Sequence, residues 1–165
     1  MPSQNITSNQ SDKLFTHNLN RLYFSKGYLL EKMPYLIGLA SFGALKLGLE
    51  EFAGDLHNQV KRMDVIYALI NEQPSDSNCN AIKAIIKDNF CLDEPQDNAM
   101  ETDTDIMLYI QMLEQINISA SRMLNLLAAK LGNNEIKQLL VECFDEAIDN
   151  DRLFELIAKE YLGVE

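Results

Sequence analysis

A chain of 165 residues with a net charge of −11, few glycines and prolines and no tryptophan has the length of one domain and enough residues to bury a core. Its acidity argues against a nucleic-acid partner or an anionic membrane surface, because both draw affinity from clustered Lys and Arg. Leu, Ile, Met and Ala dominate, which favours helices over strands.

Cys79, Cys91 and Cys143 show no CxxC spacing, and an odd cysteine count fits a reducing compartment. The opening MPSQNITSNQSD has neither the basic start nor the apolar stretch of a signal peptide. No apolar run approaches the ~20 residues that span a bilayer. These features lead to the expectation of a cytoplasmic protein. The glycosylation-type triplets at Asn5 and Asn117 are discounted on the same ground.

Residues 1–11 are polar and read as a flexible tail, with Asp12 as the N-cap of a first helix. From there residues 12–165 read as one domain. Apolar residues recur at Phe15, Leu19, Leu22, Leu29, Leu30, Met33, Ile37 and Ala40, spaced by three and four. Pro34 lies inside this run and should bend it. After the break Ser41-Phe42-Gly43 comes a second stripe: Leu45, Leu49, Phe52, Leu56, Val60, Met63, Ile66 and Ile70. So short a connection makes the two helices antiparallel neighbours. Residues 73–102 differ in composition, with turn residues at Pro74–Asn78, a short helix at Ala81–Lys87 and a second loop at Asp93–Asn98. A third long helix is expected from Asp103 or Thr104. Its stripe is Ile106, Ile110, Leu113, Ala120, Met123, Leu124, Leu127 and Leu131. Gly132-Asn133-Asn134 is a stop and a new start. The fourth stripe runs from Ile136 through Leu140, Cys143, Phe144, Ala147, Ile148, Phe154, Ile157 and Ala158 to Tyr161. Each long helix spans roughly 43 Å at 1.5 Å per residue, a distance that the 73–102 connection can traverse. Two helical hairpins joined by one long crossover with a short helix in it make an all-α, ferritin-like four-helix bundle.

Polar residues interrupt the stripes near their midpoints: Lys26, Gln59 and Asn117, with Ala147 beside Glu146 on the fourth. In a bundle these positions fall at one depth, where di-metal proteins place carboxylate ligands. A buried, unpaired ammonium at Lys26 costs several kcal/mol, so it needs a carboxylate or a route to water. Asp55, Glu114 and Glu146 are the candidate partners. The alternatives are that Lys26 snorkels to the surface and that Gln59 and Asn117 bond to each other. The central polar layer is therefore Lys26, Asp55, Gln59, Glu114, Asn117 and Glu146. A di-metal site needs about four carboxylates and two imidazoles, and His17 and His57 lie away from this depth. No metal is expected; iron or manganese on Asp55, Glu114 and Glu146 is the alternative. The cysteines read as inert small residues, the seven methionines as core filler, and the acidic run Glu142, Asp145, Glu146, Asp149 and Asp151 as a solvated face. GxSxG, P-loop, dinucleotide and HExxH signatures are missing, so no catalytic residue is nominated.

The first helix from Leu14 to Pro34, with Leu22-Tyr23, Leu29-Leu30 and Met33-Pro34, resembles the opening helix of the bacterial YciE/YciF-type ferritin-like proteins. Gln59-Val60-Lys61-Arg62-Met63 is similar to their second-helix segment. Pro74 followed by Cys79-Asn80-Ala81-Ile82 is similar to their loop into a short helix, and Leu131-Gly132 to their last junction. The resemblance implies a four-helix bundle, a stress-associated bacterial cytoplasmic protein, frequent homodimers and a di-iron site. That site's ligands carry over poorly: Lys26, Gln59, Asn117 and Ala147 stand at ligand-bearing positions, while Asp55, Glu114 and Glu146 match. A member with a degenerate metal site is the resulting expectation, acting in stress response or through a partner surface. A metal-dependent oxidase or iron-handling protein with a mixed site is the alternative, and a plain dimerisation scaffold is a third.

Overall fold

A computed structural model of the chain describes residues 7–88, 92 and 98–165. It contains α1 (Ser8–Leu39), α2 (Gly43–Ile70), α3 (Asn80–Lys87), α4 (Ala99–Leu131) and α5 (Asn134–Leu162), and no strand among the described residues. The fold is an all-α bundle with one long crossover that contains a short helix. No helix is long and apolar enough to cross a membrane among the described residues.

α1 begins four residues before the expected cap. Thr7 Oγ1 accepts the Gln10 amide at 3.4 Å, and Gln10 Oε1 accepts the Thr7 amide at 3.0 Å. This is the reciprocal capping box of a Thr-x-x-Gln sequence, and it outcompetes Asp12. Residues 8–11, expected in the tail, are therefore helical, and Ser11 is buried. α1 runs through Pro34 without a break in the helix. α4 also starts early, at Ala99, because Asn98 Oδ1 accepts the Glu101 amide at 2.9 Å. Asp103 is thereby placed inside the helix, not at its start. α4 ends on Gly132 in the left-handed region, and Asn133 caps α5 by accepting the amides of Glu135 and Ile136.

α1 packs on α2 and α4, and α5 packs on the same two, so the four long helices form a square; α3 lies against α1. Side-chain contacts give the directions. The α1–α2 turn at Ser41 bonds to Asp103 near the start of α4. A Cβ added at Gly48, near the start of α2, would run into Ile157, near the end of α5. α2 and α4 therefore run parallel, and both are antiparallel to α1 and α5. The crossover must travel the length of the bundle, and hydrogen bonds hold it there. Tyr67 Oη and the Ser75 amide both donate to Asn20 Oδ1, at 2.6 and 3.2 Å. Tyr109 Oη donates to the Ile86 carbonyl at 2.5 Å, and Tyr35 Oη to the Leu92 carbonyl at 2.8 Å.

The apolar interior is divided in two. One cluster surrounds Leu29, Met33, Phe52, Ile106, Ile110 and Phe154; the other surrounds Phe15, Leu19, Met63, Ile66, Leu124 and Leu140. Polar residues separate them at mid-height.

Candidate functional site

Lys26 contributes the largest polar side chain of the dividing layer. It is 0% exposed, as are Gln59, Glu114 and Asn117. Snorkelling is thereby ruled out in this structure: with no exposed surface, the Lys26 tip stays inside. α4 supplies two neighbours one turn apart. Asn117 Nδ2 donates to Glu114 Oε1 at 2.7 Å, and Asn117 Oδ1 accepts from Ser25 Oγ at 3.1 Å. Ser25 ties α1 to α4 beside Lys26. Gln59 does not bond to Asn117. Its Nε2 donates across the α2–α5 interface to Glu146 Oε2 at 3.0 Å.

Glu146 belongs to a second group, at the rim. Arg62 holds it with Nη1 at 2.8 Å and Nη2 at 2.7 Å, and reaches Glu142 with Nε at 3.1 Å. This planar fork on a carboxylate is geometrically specific. The hydrogen bond that Arg62 donates to Glu146 raises the Arg62 pKa above its ordinary range. Asp55 is partly buried; burial and then the nearby Glu146 charge raise its pKa. Glu114 is also raised, chiefly by burial, against the pull of the Lys26 charge and the Asn117 hydrogen bond. Of the three candidate carboxylates, Glu114 is the buried one whose titration the Lys26 charge opposes, while Glu146 is held by Arg62.

The inner layer is not closed by its own hydrogen bonds. Lys26 Nζ, Gln59 Oε1, Glu114 Oε2, Ser121 Oγ and Asn150 Nδ2 are buried without a partner among the described residues. Ser25, Arg62, Ser121 and Asn150 were not nominated from sequence. Arg62 lies three residues after Gln59, on the same face of α2, and Asn150 one turn after Glu146. That spacing was the available signal. Asp103 was also missed. Fully buried on α4, it accepts the Ser41 amide at 2.8 Å, the Ser41 hydroxyl at 2.5 Å and the Phe42 amide at 3.1 Å. It satisfies donors at the N-terminus of α2 from a different helix, where a negative charge also suits the helix dipole.

His17 is partly buried on α1 and His57 exposed on α2. Cys143 is buried, its Sγ 4.0 Å from the Gln59 carbonyl, and burial pushes its thiol pKa up. Cys79 is buried too, while Cys91 lies outside the described residues. No group of three or more His, Cys, Asp or Glu side chains able to hold a metal occurs among the described residues. An ammonium and two amides within the layer do not fit a di-iron or di-manganese centre, whose donors are carboxylates and imidazoles.

The profile of the family described as "Domain of unknown function (DUF892)" matches residues 10–163. The chain belongs to the DUF892 family. A search of the curated proteins gives no match. Among solved structures, the Escherichia coli stress protein YciF superimposes with a TM-score of 0.86 at 20% identity, over 94% of this chain and 98% of that one. YcfI from Rhodopseudomonas palustris, to which a structural role is attributed, superimposes with a TM-score of 0.81 at 23% identity over the same shares. At these identities the likeness to both is one of fold. This DUF892 chain thus has the bundle fold of YciF, the fold that the resemblance of its first helix and loop segments implies.

Proposed function

We propose that this protein is a bacterial cytoplasmic ferritin-like bundle that carries out no redox chemistry at its centre and acts, as a homodimer, in a stress-associated or partner-binding role. One observation carries the reading: Lys26 is fully buried in the same layer as Glu114 and its charge acts on that carboxylate, at the height where di-metal bundle proteins hold metal. An ammonium there supplies one positive charge to the carboxylate, so the layer needs no cation. The likeness to a stress protein and to a protein with an attributed structural role supports the non-catalytic reading at the level of fold.

Metal analysis of protein grown with iron and manganese tests it. Far less than one metal per chain is the expected result, and one or two tightly held ions per chain would overturn the proposal. Lys26→Glu adds a fourth carboxylate to Asp55, Glu114 and Glu146. The variant is expected to gain iron affinity that the parent lacks.

The second reading is a mixed metal site on Asp55, Glu114 and Glu146. The observation that favours it is mutual repulsion: Glu146 raises the Asp55 pKa, and Asp55 raises that of Glu114. A cation among them would relieve it. Against it stand the Lys26 charge in the same layer and the spacing of these carboxylates, since no three such side chains are placed to share an ion among the described residues.

A further inference from the structure

The chain has six tyrosines and no tryptophan, so its phenols are the aromatic side chains that give up an electron most readily. Three of them gather with a phenylalanine where α1 meets α2 and α3. Tyr23 and Tyr67 meet edge to face with ring centroids 5.3 Å apart, and Tyr23 meets Phe24 at 5.3 Å. Phe24 in turn lies 5.8 Å from Tyr28, one turn further along α1. Asp64 and Tyr67, three residues apart, share the face of α2 that Tyr23 touches.

The proton acceptors rank the three phenols. A phenol that loses an electron becomes a strong acid, so oxidation is favoured where a base stands within hydrogen-bond reach to take the proton. Tyr67 is buried and donates to Asn20 Oδ1, an amide oxygen that takes up no proton. Tyr28 donates to Asp76 Oδ2 at 3.3 Å, but Lys83 already holds that carboxylate and sits over the Tyr28 ring, 5.1 Å from its centroid. A cation over the ring opposes removal of an electron from it. Tyr23 donates to Asp64 Oδ1 at 2.9 Å. Asp64 is exposed, and no cation pairs with it among the described residues. Burial and then the Asp64 hydrogen bond raise the Tyr23 pKa, so this phenol keeps its proton until an electron leaves.

We infer that Tyr23 and Asp64 form a proton-coupled oxidation site, which takes oxidising equivalents from diffusible one-electron oxidants and from an oxidised Tyr67. In the direct step Tyr23 gives one electron to the oxidant, which is reduced by that electron. The Tyr23 O–H bond breaks, the proton passes to Asp64 Oδ1, and a neutral phenoxyl radical and a carboxylic acid remain. In the relay step the electron crosses the edge-to-face contact to an oxidised Tyr67 that has kept its proton in the bond to Asn20. Tyr67 returns to the neutral phenol, and the Tyr23 proton goes to Asp64 as before. The oxidising equivalent runs outward because Tyr23 has a base and Tyr67 has none. Tyr67 belongs to the apolar cluster around Phe15 and Met63, and Tyr23 packs against that cluster from its edge. The pair thereby draws oxidation away from the interior. None of the partners of Tyr23 belongs to the central polar layer, and the inference goes beyond the proposed function without resting on it.

Photo-oxidation of the full chain with tris(bipyridine)ruthenium(II) and persulfate, followed by freeze-quench electron paramagnetic resonance, tests it. Circular dichroism shows unchanged helix content; Tyr23 and Tyr28 are partly exposed and Asp64 is exposed. The parent is expected to give a tyrosyl radical that loses most of its intensity in Tyr23→Phe and little in Tyr28→Phe. Asp64→Asn keeps a hydrogen-bond acceptor but takes up no proton, and should slow radical formation by about tenfold or more. Peptide mass mapping after prolonged illumination should find oxidised Tyr67 in Tyr23→Phe and not in the parent. A parent without a tyrosyl radical, or full intensity in Tyr23→Phe, overturns the site. An unchanged rate in Asp64→Asn overturns the proton transfer. Equal modification of Tyr67 in the parent and in Tyr23→Phe overturns the relay.

Discussion

Lys26 and Glu114 are both fully buried in one layer, and the Lys26 charge bears on the Glu114 proton. Burial is the largest influence on Glu114 and raises its pKa above the ordinary 4.5; the Lys26 charge holds it down. The folded state therefore binds the Glu114 proton more tightly than the unfolded chain does. This group's contribution to stability is complete below pH 4.5 and declines as pH rises through its folded value. Urea midpoints of the parent should fall over that window relative to those of Glu114→Gln, which lacks the titration; parallel profiles would contradict the assignment. Lys26→Met removes the compensating charge. At pH 8 it should cost about 3 kcal/mol, the scale for leaving a buried charge without its partner. Toward pH 4.5 the cost should shrink, because Glu114, whose pKa lies above that value, becomes increasingly protonated. The same pair explains why the layer was only partly legible in the sequence. Lys26, Gln59, Glu114 and Asn117 stood out as polar residues within apolar stripes, and all four are buried. Which carboxylate faced which cation was not legible. Arg62 is a surface-type residue in sequence, yet its reach across to α5 takes Glu146.

Helix ends and close approaches decide how the elements meet. The capping box at Thr7 sets the start of α1, and Thr7→Ala should lower stability by about 0.5–2 kcal/mol in thermal or urea unfolding. The Asp103 carboxylate accepts three donors at the α1–α2 turn. Its removal in Asp103→Ala strands those groups and should cost about 2–3 kcal/mol. At Gly48 the α2 backbone passes so near α5 that an added Cβ would run into Ile157 Cδ1. Ala would improve helix propensity by about 1 kcal/mol, but the Ile157 side chain must first move. Ile157→Val removes the terminal methyl. Gly48→Ala should therefore be better tolerated in the Ile157→Val background than in the parent, and a double-mutant cycle reads this as coupling of about 1 kcal/mol. Strict additivity would mean that Ile157 swings aside freely. Sequence punctuation located the breaks near Ser41, Pro74 and Gly132. It misplaced the starts of α1 and α4 because Thr7 and Asn98, each a good cap, lay in stretches read as tail and loop.

For the molecule as a whole, hydrophobic periodicity determined the number of long helices, their order and the crossover. The reason is that burial of a stripe at 3.6-residue spacing is a local property of the chain. The resemblance to YciF-type proteins followed from the same segments. Tertiary structure alone decided the rest. Periodicity says which residues share a face, but not how far one helix is rotated or shifted against the next. Packing sets those offsets, as at Gly48 against Ile157. They put Lys26 with Glu114, hand Glu146 to Arg62, divide the core into two apolar halves, and turn Leu126 and Met123, the latter expected in the core stripe, outward.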